Sequence, residues 1–329
     1  MRHDTETFRI VFLYIITHRT IHSGAVSDTA RSHAKYHPPH EGTVMMRRLA
    51  TVLFLMLAAS NVLAQTEQKA PEYGWNNTLI AGLNITQVSL QNWVQGGENA
   101  LAWTLAANGK SLYTQESYVW TNSLKIMYGQ TKIGTRQFEK TDDELFYESV
   151  LAYNVGWKVN PFFALTARTQ IAPGYKMLKD ANGVDVRTQT SAFFDPGYLM
   201  QSAGFTYAPS EEFATRLGVA VKESFASEYA RFGYTGDPTK TTRVQTGVES
   251  GTSIKVPIME NVMYTSQLNM FSAFDKLDVW DVRWDNSISA KVNSYVNVSL
   301  NVLIVHEIAQ SRRTQMKQVL ALGLSYTLF

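Results

Sequence analysis

The residue pattern predicts an all-β chain closed into a single antiparallel transmembrane β-barrel of about 12 strands, with short periplasmic turns and longer external loops. Three observations lead there. The region from Val279 to Phe329 holds three successive stretches in which every second residue is apolar. No run approaches the roughly 18 consecutive apolar residues of a membrane-spanning helix, and mean hydropathy is slightly negative. The connections between alternating stretches sort by parity into short and long, as outer-membrane barrels sort their turns and loops.

In the first C-terminal stretch Trp280, Val282, Trp284, Ile288, Ala290 and Val292 alternate with Asp281, Arg283, Asp285, Ser287, Ser289 and Lys291. In the second, Val296, Val298, Leu300, Val302 and Ile304 alternate with Asn297, Ser299 and Asn301. In the third, Leu320, Leu322, Leu324, Tyr326 and Leu328 alternate with Ala321, Gly323, Ser325 and Thr327. A period of two means strands with one apolar and one polar face. Each is close to the roughly 9–11 residues that a tilted strand needs to cross a bilayer. A soluble antiparallel sheet with one wet face shows the same alternation, so the rest of the chain has to separate the two.

The chain has 329 residues, 45% apolar and 18% charged, which excludes disorder. It has no cysteine, hence no disulfide, thiolate metal site or lipid-modified cysteine. Met46-Arg47-Arg48, the apolar core Leu49 to Ala59 and the site Val62-Leu63-Ala64 stand in the order of an export signal. Residues 46–64 are therefore read as a signal peptide cut after Ala64. Residues 1–45 hold six of the seven histidines and stand where export machinery expects nothing. They read as a mis-assigned start or a disordered extension, with Met45 or Met46 as the true start. The remaining chain is close to neutral, so the mild basicity of the whole implies no nucleic-acid partner.

Residues 65–77 form a polar periplasmic tail, and 78–329 the barrel. The first strand is expected over Thr78–Leu90, followed by the Gly-rich connection Asn92 to Asn99. The second, Ala100–Tyr113, puts Leu101, Trp103, Leu105 and Ala107 outward and Thr104, Asn108 and Lys110 inward. The third is Tyr118–Gln130. The fourth, Glu144–Lys158, aligns Tyr147, Leu151, Tyr153, Val155 and Trp157, and Asn160-Pro161 turns it. The fifth, Phe162–Tyr175, alternates Phe163, Leu165, Ala167 and Ile171 with Thr166, Arg168 and Gln170. A long loop, Lys176 to Pro196, precedes the sixth at Gly197–Ala208. The seventh, Glu212–Phe225, sets Phe213, Leu217, Val219 and Val221 against Arg216, Gly218 and Lys222. A second long loop, Ala226 to Lys240, leads to the eighth at Thr241–Val256 and the ninth at Val262–Phe274. The three C-terminal stretches complete the set.

Connections after the even strands are short. Those after the third, fifth and seventh are long, that after the eleventh (Glu307 to Arg313) is moderate, and those after the first and ninth are modest. A soluble sandwich has no reason to sort its loops this way. Trp103, Trp120, Tyr128, Tyr147, Trp157, Tyr198, Tyr207, Tyr264, Trp280 and Tyr326 fall near predicted strand ends, where interfacial aromatic girdles occur.

The inward phase carries Lys125, Glu148, Arg168, Lys222, Arg243, Glu249, Lys255, Asp281, Arg283, Asp285 and Lys291 as lumen-lining candidates. Opposite charges can face each other across a water-filled constriction, or pair and close the lumen. An inward-folded loop could also fill it, and Lys176 to Pro196 is the longest candidate. His306, the one histidine after the signal, reads as a rim residue facing headgroups, because no nucleophile motif surrounds Ser299 or Ser311. Asp142-Asp143-Glu144 lacks EF-hand spacing and reads as a solvated external loop, and Gly96-Gly97 as a turn. No catalytic residue, metal site or cofactor is expected.

Several segments resemble the domain-of-unknown-function family 3078 of bacterial outer-membrane proteins. They are Ser89 to Trp93 with Gly96 to Asn99, Lys140 to Glu144, Arg168 to Tyr175, Asp195 to Leu199, and Lys317 to Phe329. The resemblance implies outer-membrane placement in a Gram-negative cell and carries no activity. Phe329 departs from the pattern, being out of phase with Tyr326 and Leu328. The first functional reading is a pore or transporter for small solutes. The second is a non-conducting barrel that binds a partner through its external loops, and the third a membrane-surface hydrolase using His306. Expected partners are outer-membrane lipid and the barrel assembly machinery, reached through the strand ending at Phe329. N-terminal sequencing of the exported protein should begin at Gln65, and any other first residue would displace the predicted cut.

Overall fold

A computed structural model describes residues 72–91, 97–308, 311 and 313–328. The start site, the signal peptide, the cut after Ala64, the histidines before it, Asn92 to Gly96 and the phase of Phe329 lie outside the described residues.

Among the described residues, fourteen strands follow in chain order. They are β1 (Gly74–Val88), β2 (Ala100–Thr114), β3 (Tyr118–Ile133), β4 (Glu139–Tyr153), β5 (Val159–Thr169), β6 (Gly174–Lys179), β7 (Asp185–Ser191), β8 (Gly197–Ser210), β9 (Phe213–Phe225), β10 (Thr242–Met259), β11 (Val262–Ala273), β12 (Asp281–Lys291), β13 (Val296–His306) and β14 (Gln315–Thr327). Twelve close into an antiparallel barrel in sequence order, and β6 and β7 pair separately as a hairpin. Closure is made by β1 on β14, with Ile80 opposite Thr327 and Ile85 opposite Leu322. Beyond this ladder, the Leu328 N–H donates to the Leu79 carbonyl at 2.8 Å.

The expected architecture and strand number are thus present, with particular differences. β1 begins four residues before the expected start, at Gly74. β4 runs over Glu139–Tyr153 rather than 144–158. Val155 and Trp157 continue the apolar alternation into the next turn, so periodicity alone does not mark the strand end. The turn is set instead by Asn154, whose side-chain oxygen accepts the Gly156 N–H at 3.1 Å, with Gly156 at φ 76°. Pro161 lies inside β5, one residue beyond the last β4–β5 pair, Ala152 with Phe162. There its missing N–H leaves no gap in that ladder. β5 stops at Thr169, and β14 starts at Gln315, five residues before the expected start. The expected loop 176–196 contains most of the β6–β7 hairpin. Asp142, Asp143 and Glu144 are strand residues of β4, with Asp142 and Glu144 buried, and not a solvated loop.

Turns 115–117, 154–158, 211–212, 260–261 and 292–295 all lie at one end and span two to five residues. The connections 89–99, 170–196, 226–241, 274–280 and 307–314 at the other end are longer, and only 134–138 is as short as a turn. The barrel thus has a short-turn end and a long-loop end.

Many outward positions are apolar and bare. Leu320, Leu322 and Leu324 on β14 are 53–68% exposed, and Leu217 and Val219 on β9 are 59–60% exposed. A water-soluble protein rarely exposes apolar surface so continuously. Aromatic residues edge this belt. At the short-turn ends of β1 to β4, ring centroids are 4.7 Å apart for Trp75–Tyr113, 6.0 Å for Trp75–Trp120 and for Tyr113–Tyr118, and 6.2 Å for Tyr118–Tyr153. Tyr295 stacks on Tyr326 at the same end. Trp103 meets Tyr128 at 5.8 Å in the long-loop half. Tyr198, expected in a girdle, instead pairs in register with Arg168 and Ser224, so all three share the inward phase.

Leu322 stands opposite Ile85 and Val298 in the middle of this belt. Leu322→Arg is expected to cost about 2–4 kcal/mol if the belt meets hydrocarbon. A change within about 0.5 kcal/mol, read from urea unfolding in lipid vesicles, is what a water-exposed surface would give.

Candidate functional site

Because β strands alternate faces, each inward charge sits between outward apolar neighbours. Lys125 on β3 is flanked by the exposed Leu124 and Ile126. The same phase on β4, β5, β9 and β12 carries Glu144, Arg168, Lys222 and Arg283 inward.

These charges meet across the barrel. Arg283 Nη2 donates to Glu144 Oε1 at 2.7 Å. Their strands, β12 and β4, are separated by five strands on either side of the ring, so this pair joins opposite walls. Arg168 Nε lies 3.5 Å from the same Glu144 oxygen. Lys125 is 3.3 Å from Glu144 Oε2 and 3.1 Å from Asp285. Lys222 bridges Asp281 at 2.8 Å and Glu307 at 2.9 Å. Lys317 on β14 pairs with Asp142 on β4, which also accepts from Thr104 at 3.1 Å.

A second cluster lies deeper along β9. Arg216 is 2.7 Å from Glu148 and 3.1 Å from Glu249, and Glu249 also accepts from Ser202 at 2.8 Å. The Glu249 side chain is 1% exposed. Gly251 makes room for the arginine, since a Cβ there would stand 3.0 Å from Arg216 Nε.

At the long-loop rim a β-bulge shifts the β3–β4 register between Gly129–Asp142 and Gln130–Lys140, leaving Thr141 unopposed. In a regular strand, residues three apart point to opposite faces. The extra residue puts Lys140 and Asp143 on one side, where they pair at 2.6 Å. Asp143 then accepts the N–H groups of Ile171 and Ala172 at 2.6 and 3.0 Å. Lys140 also donates to Gln170 and to the Ala172 carbonyl. This cluster ends β5 and pins the start of the 170–196 connection. Asp195 pins its end, accepting the N–H groups of Ser227 and Glu228 from the neighbouring loop.

A cavity of about 490 Å³ occupies the long-loop half of the lumen. Met127, Met200, Phe271, Leu303 and Val305 line it beside Arg168, Arg283 and Lys222. Tyr234 of loop 226–241 also lines it. Gln170 and Pro196, at the two ends of the 170–196 connection, line it as well, whereas β6 and β7 do not. Partial burial pushes the Tyr234 phenol up.

Of the expected lumen residues, Lys125, Arg168, Lys222, Asp281, Arg283 and Asp285 are brought together around Glu144 and Glu307, and Glu148 and Glu249 around Arg216. Arg243 stands apart, with Nη1 3.4 Å from the Thr235 carbonyl. Lys255 and Lys291 are exposed near the short-turn end. Sequence reasoning missed Glu144, Arg216, Glu307, Asp142 and Lys317. Arg216 was findable, six residues from Lys222 on the polar face of one strand. Glu144 was hidden at the expected start of the fourth strand, where it also read as part of a solvated loop. His306 Nδ1 is 3.1 Å from the Thr314 hydroxyl. Among the described residues no group of His, Asp and Glu is arranged to hold a metal ion.

A closed antiparallel barrel, bare and apolar outside and charged within, has the architecture of transmembrane barrels. The sequence resembles one family in particular: the family model described as Protein of unknown function (DUF3078) matches residues 85–175. Two of the segments carrying that resemblance, Lys140 to Glu144 and Arg168 to Tyr175, are those that meet at the rim cluster and at Glu144. No curated protein matches the chain. Among solved structures, the translocator domain of the autotransporter NalP from Neisseria meningitidis is similar at 10% identity, with 86% of this chain and 97% of that one covered and a TM-score of 0.37. An outer membrane channel from Pseudomonas putida F1 is similar at 9% identity, with 80% and 99% covered and a TM-score of 0.35. At such scores the likeness carries no argument, and the architecture rests on the strand pairing itself.

Removing one member of a buried ion cluster strands the others. Arg216→Met leaves Glu148 and Glu249 without their cation and is expected to cost about 3–5 kcal/mol. Adding Glu148→Gln and Glu249→Gln should recover most of that loss. Urea midpoints of the three proteins in vesicles check this, and an Arg216→Met midpoint matching the parent would mean the cluster holds nothing.

Proposed function

We propose that the chain is an outer-membrane β-barrel that admits small solutes to the long-loop chamber and passes them through a waist held by ion pairs. The apolar belt with aromatic residues near its edges supports membrane insertion. Loop parity supports an external long-loop end. The observation that carries the conduit reading is the Arg283–Glu144 pair. It joins opposite walls beside a chamber, and with Lys125, which reaches both Glu144 and Asp285, it forms a waist held by a few ion pairs.

A specific observation favours a second reading, a non-conducting barrel recognised through its loops. The β6–β7 region exposes Met177, Val184 and Phe193 at 58–62%. Electrical recording in a planar lipid bilayer separates the two. Protein whose gel migration shifts on heating is expected to give small discrete steps, and Arg283→Ala larger ones, because the shortest contact across the lumen is lost while Lys125 still joins Glu144 to Asp285. Folded protein without steps in either form would sink the conduit and leave the loop reading.

A further inference from the structure

The outer wall over β10 to β12 is polar at mid-strand. On β12 the phase opposite to Arg283 and Asp285 holds Val282, Trp284, Ile288 and Ala290. Asn286 interrupts that phase at the centre of the strand, which has eleven residues. Ser266 on β11 stands opposite Asn286. Thr252 on β10 stands opposite Thr215 on β9, and their hydroxyl oxygens are 2.9 Å apart. Trp284 Nε1 donates to Ser266 Oγ at 2.9 Å, and the Tyr264 hydroxyl donates to Asn286 Oδ1 at 2.9 Å. The Asn286 oxygen is thus engaged, but its amide nitrogen has no hydrogen-bond partner among the described residues. The side chain is neither buried nor fully exposed. Nearer the seam the outward phase is different. Leu105 on β2 and Leu320, Leu322 and Leu324 on β14 are apolar and 51–68% exposed.

We propose that a second copy of this chain docks on the β10–β12 face, about a twofold axis that brings the two Asn286 side chains together. The proposal rests on the reading of the outer belt as membrane-facing. Hydrocarbon offers an amide N–H no acceptor, so an unmet donor at mid-belt is costly in lipid. A protein neighbour relieves that cost. A side-chain amide carries donors and acceptor lone pairs together. Two such amides facing across a twofold donate to each other, and the second lone pair of each oxygen is free beside its Tyr264 bond. A lipid tail answers neither group. Between membrane-spanning helices, Asn and Ser side chains bond across contacts in this way, and the same chemistry serves two barrel walls. No charged side chain stands in the outward phase of β10 to β12, so apposing two copies brings no like charges together. Exposed Leu217, Val219 and Ile288 flank the polar stripe and supply apolar contact around it.

The chain has no cysteine, so single-cysteine variants report contacts cleanly. In membranes of expressing cells, oxidation with copper phenanthroline is expected to link Asn286→Cys into a dimer. Thiol reduction should reverse the link, and the band should contain this chain alone. Tyr147→Cys, outward on β4 at the opposite wall, should stay monomeric. Sedimentation of the purified protein in detergent gives a second measurement. Asn286→Leu should weaken self-association about tenfold. Asn286→Gln, which keeps the amide, should weaken it less and serves if the leucine variant fails to fold. Absence of a linked dimer, equal linking at positions 286 and 147, a band containing another protein, or unchanged self-association of Asn286→Leu would each overturn the proposal. Leu322→Cys, probed with a water-soluble maleimide in the same membranes, separates the two levels. A reactive thiol there would overturn the membrane-facing belt and the docking face with it. An unreactive one beside unlinked Asn286→Cys would overturn the docking face and keep the belt.

Discussion

Closure of the hydrogen-bond ladder between β1 and β14 is the constraint on which everything else rests. An open sheet of twelve strands has two unpaired edges, and in hydrocarbon each unpaired backbone group costs several kilocalories. Once the ends join, the sheet has an inside and an outside, and the two phases of every strand acquire different solvents. The seam itself is tight. Gly323 on β14 stands between Asn84 and Asn297, where a Cβ would come within 2.5 and 2.7 Å of their amide oxygens. The chain therefore closes with side-chain amides packed against bare backbone on the lumen side of the joint.

Enclosing charge creates the second constraint. Carboxylates and ammonium groups taken from bulk water lose solvation, and only close pairing offsets the loss. In this barrel the pairing runs across the lumen as well as along the wall. Arg283 reaches Glu144 on the opposite side, Lys125 reaches Asp285, and Lys222 gathers Asp281 and Glu307. Such contacts tie together strands that share no ladder, so the same ion pairs that narrow the lumen also brace the wall. A barrel with a wider lumen would hold these groups apart and wet.

The two ends of the barrel are built differently. At the short-turn end the strands are joined by tight turns, and the inward phase carries amides, hydroxyls and the exposed Lys255 and Lys291. At the long-loop end, acidic side chains organise backbone. Asp143 holds the N–H groups after β5, and Asp195 holds those of the loop after β9. This links the two longest connections to the wall and to each other, and it places Tyr234 beside the chamber.

Alternation is a local property, so strand existence, the outward and inward phases and the sorting of loops by parity were legible in the residues alone. Val282, Trp284 and Ile288 declare one face and Asp281, Arg283 and Asp285 the other without reference to any partner. Strand ends were less legible, because Val155 and Trp157 keep the rhythm through a turn and Asn154 and Gly156 are what stop the strand. The bulge at Thr141 was invisible for a related reason: an inserted residue changes phase only relative to the strand beside it. The site itself needed the closed barrel. Arg283 and Glu144 are 139 residues apart, and nothing in their separate neighbourhoods says that they touch. Phase tells which way a side chain points. Which charge it meets depends on strand number, register and the width of the lumen, and those belong to the assembled ring.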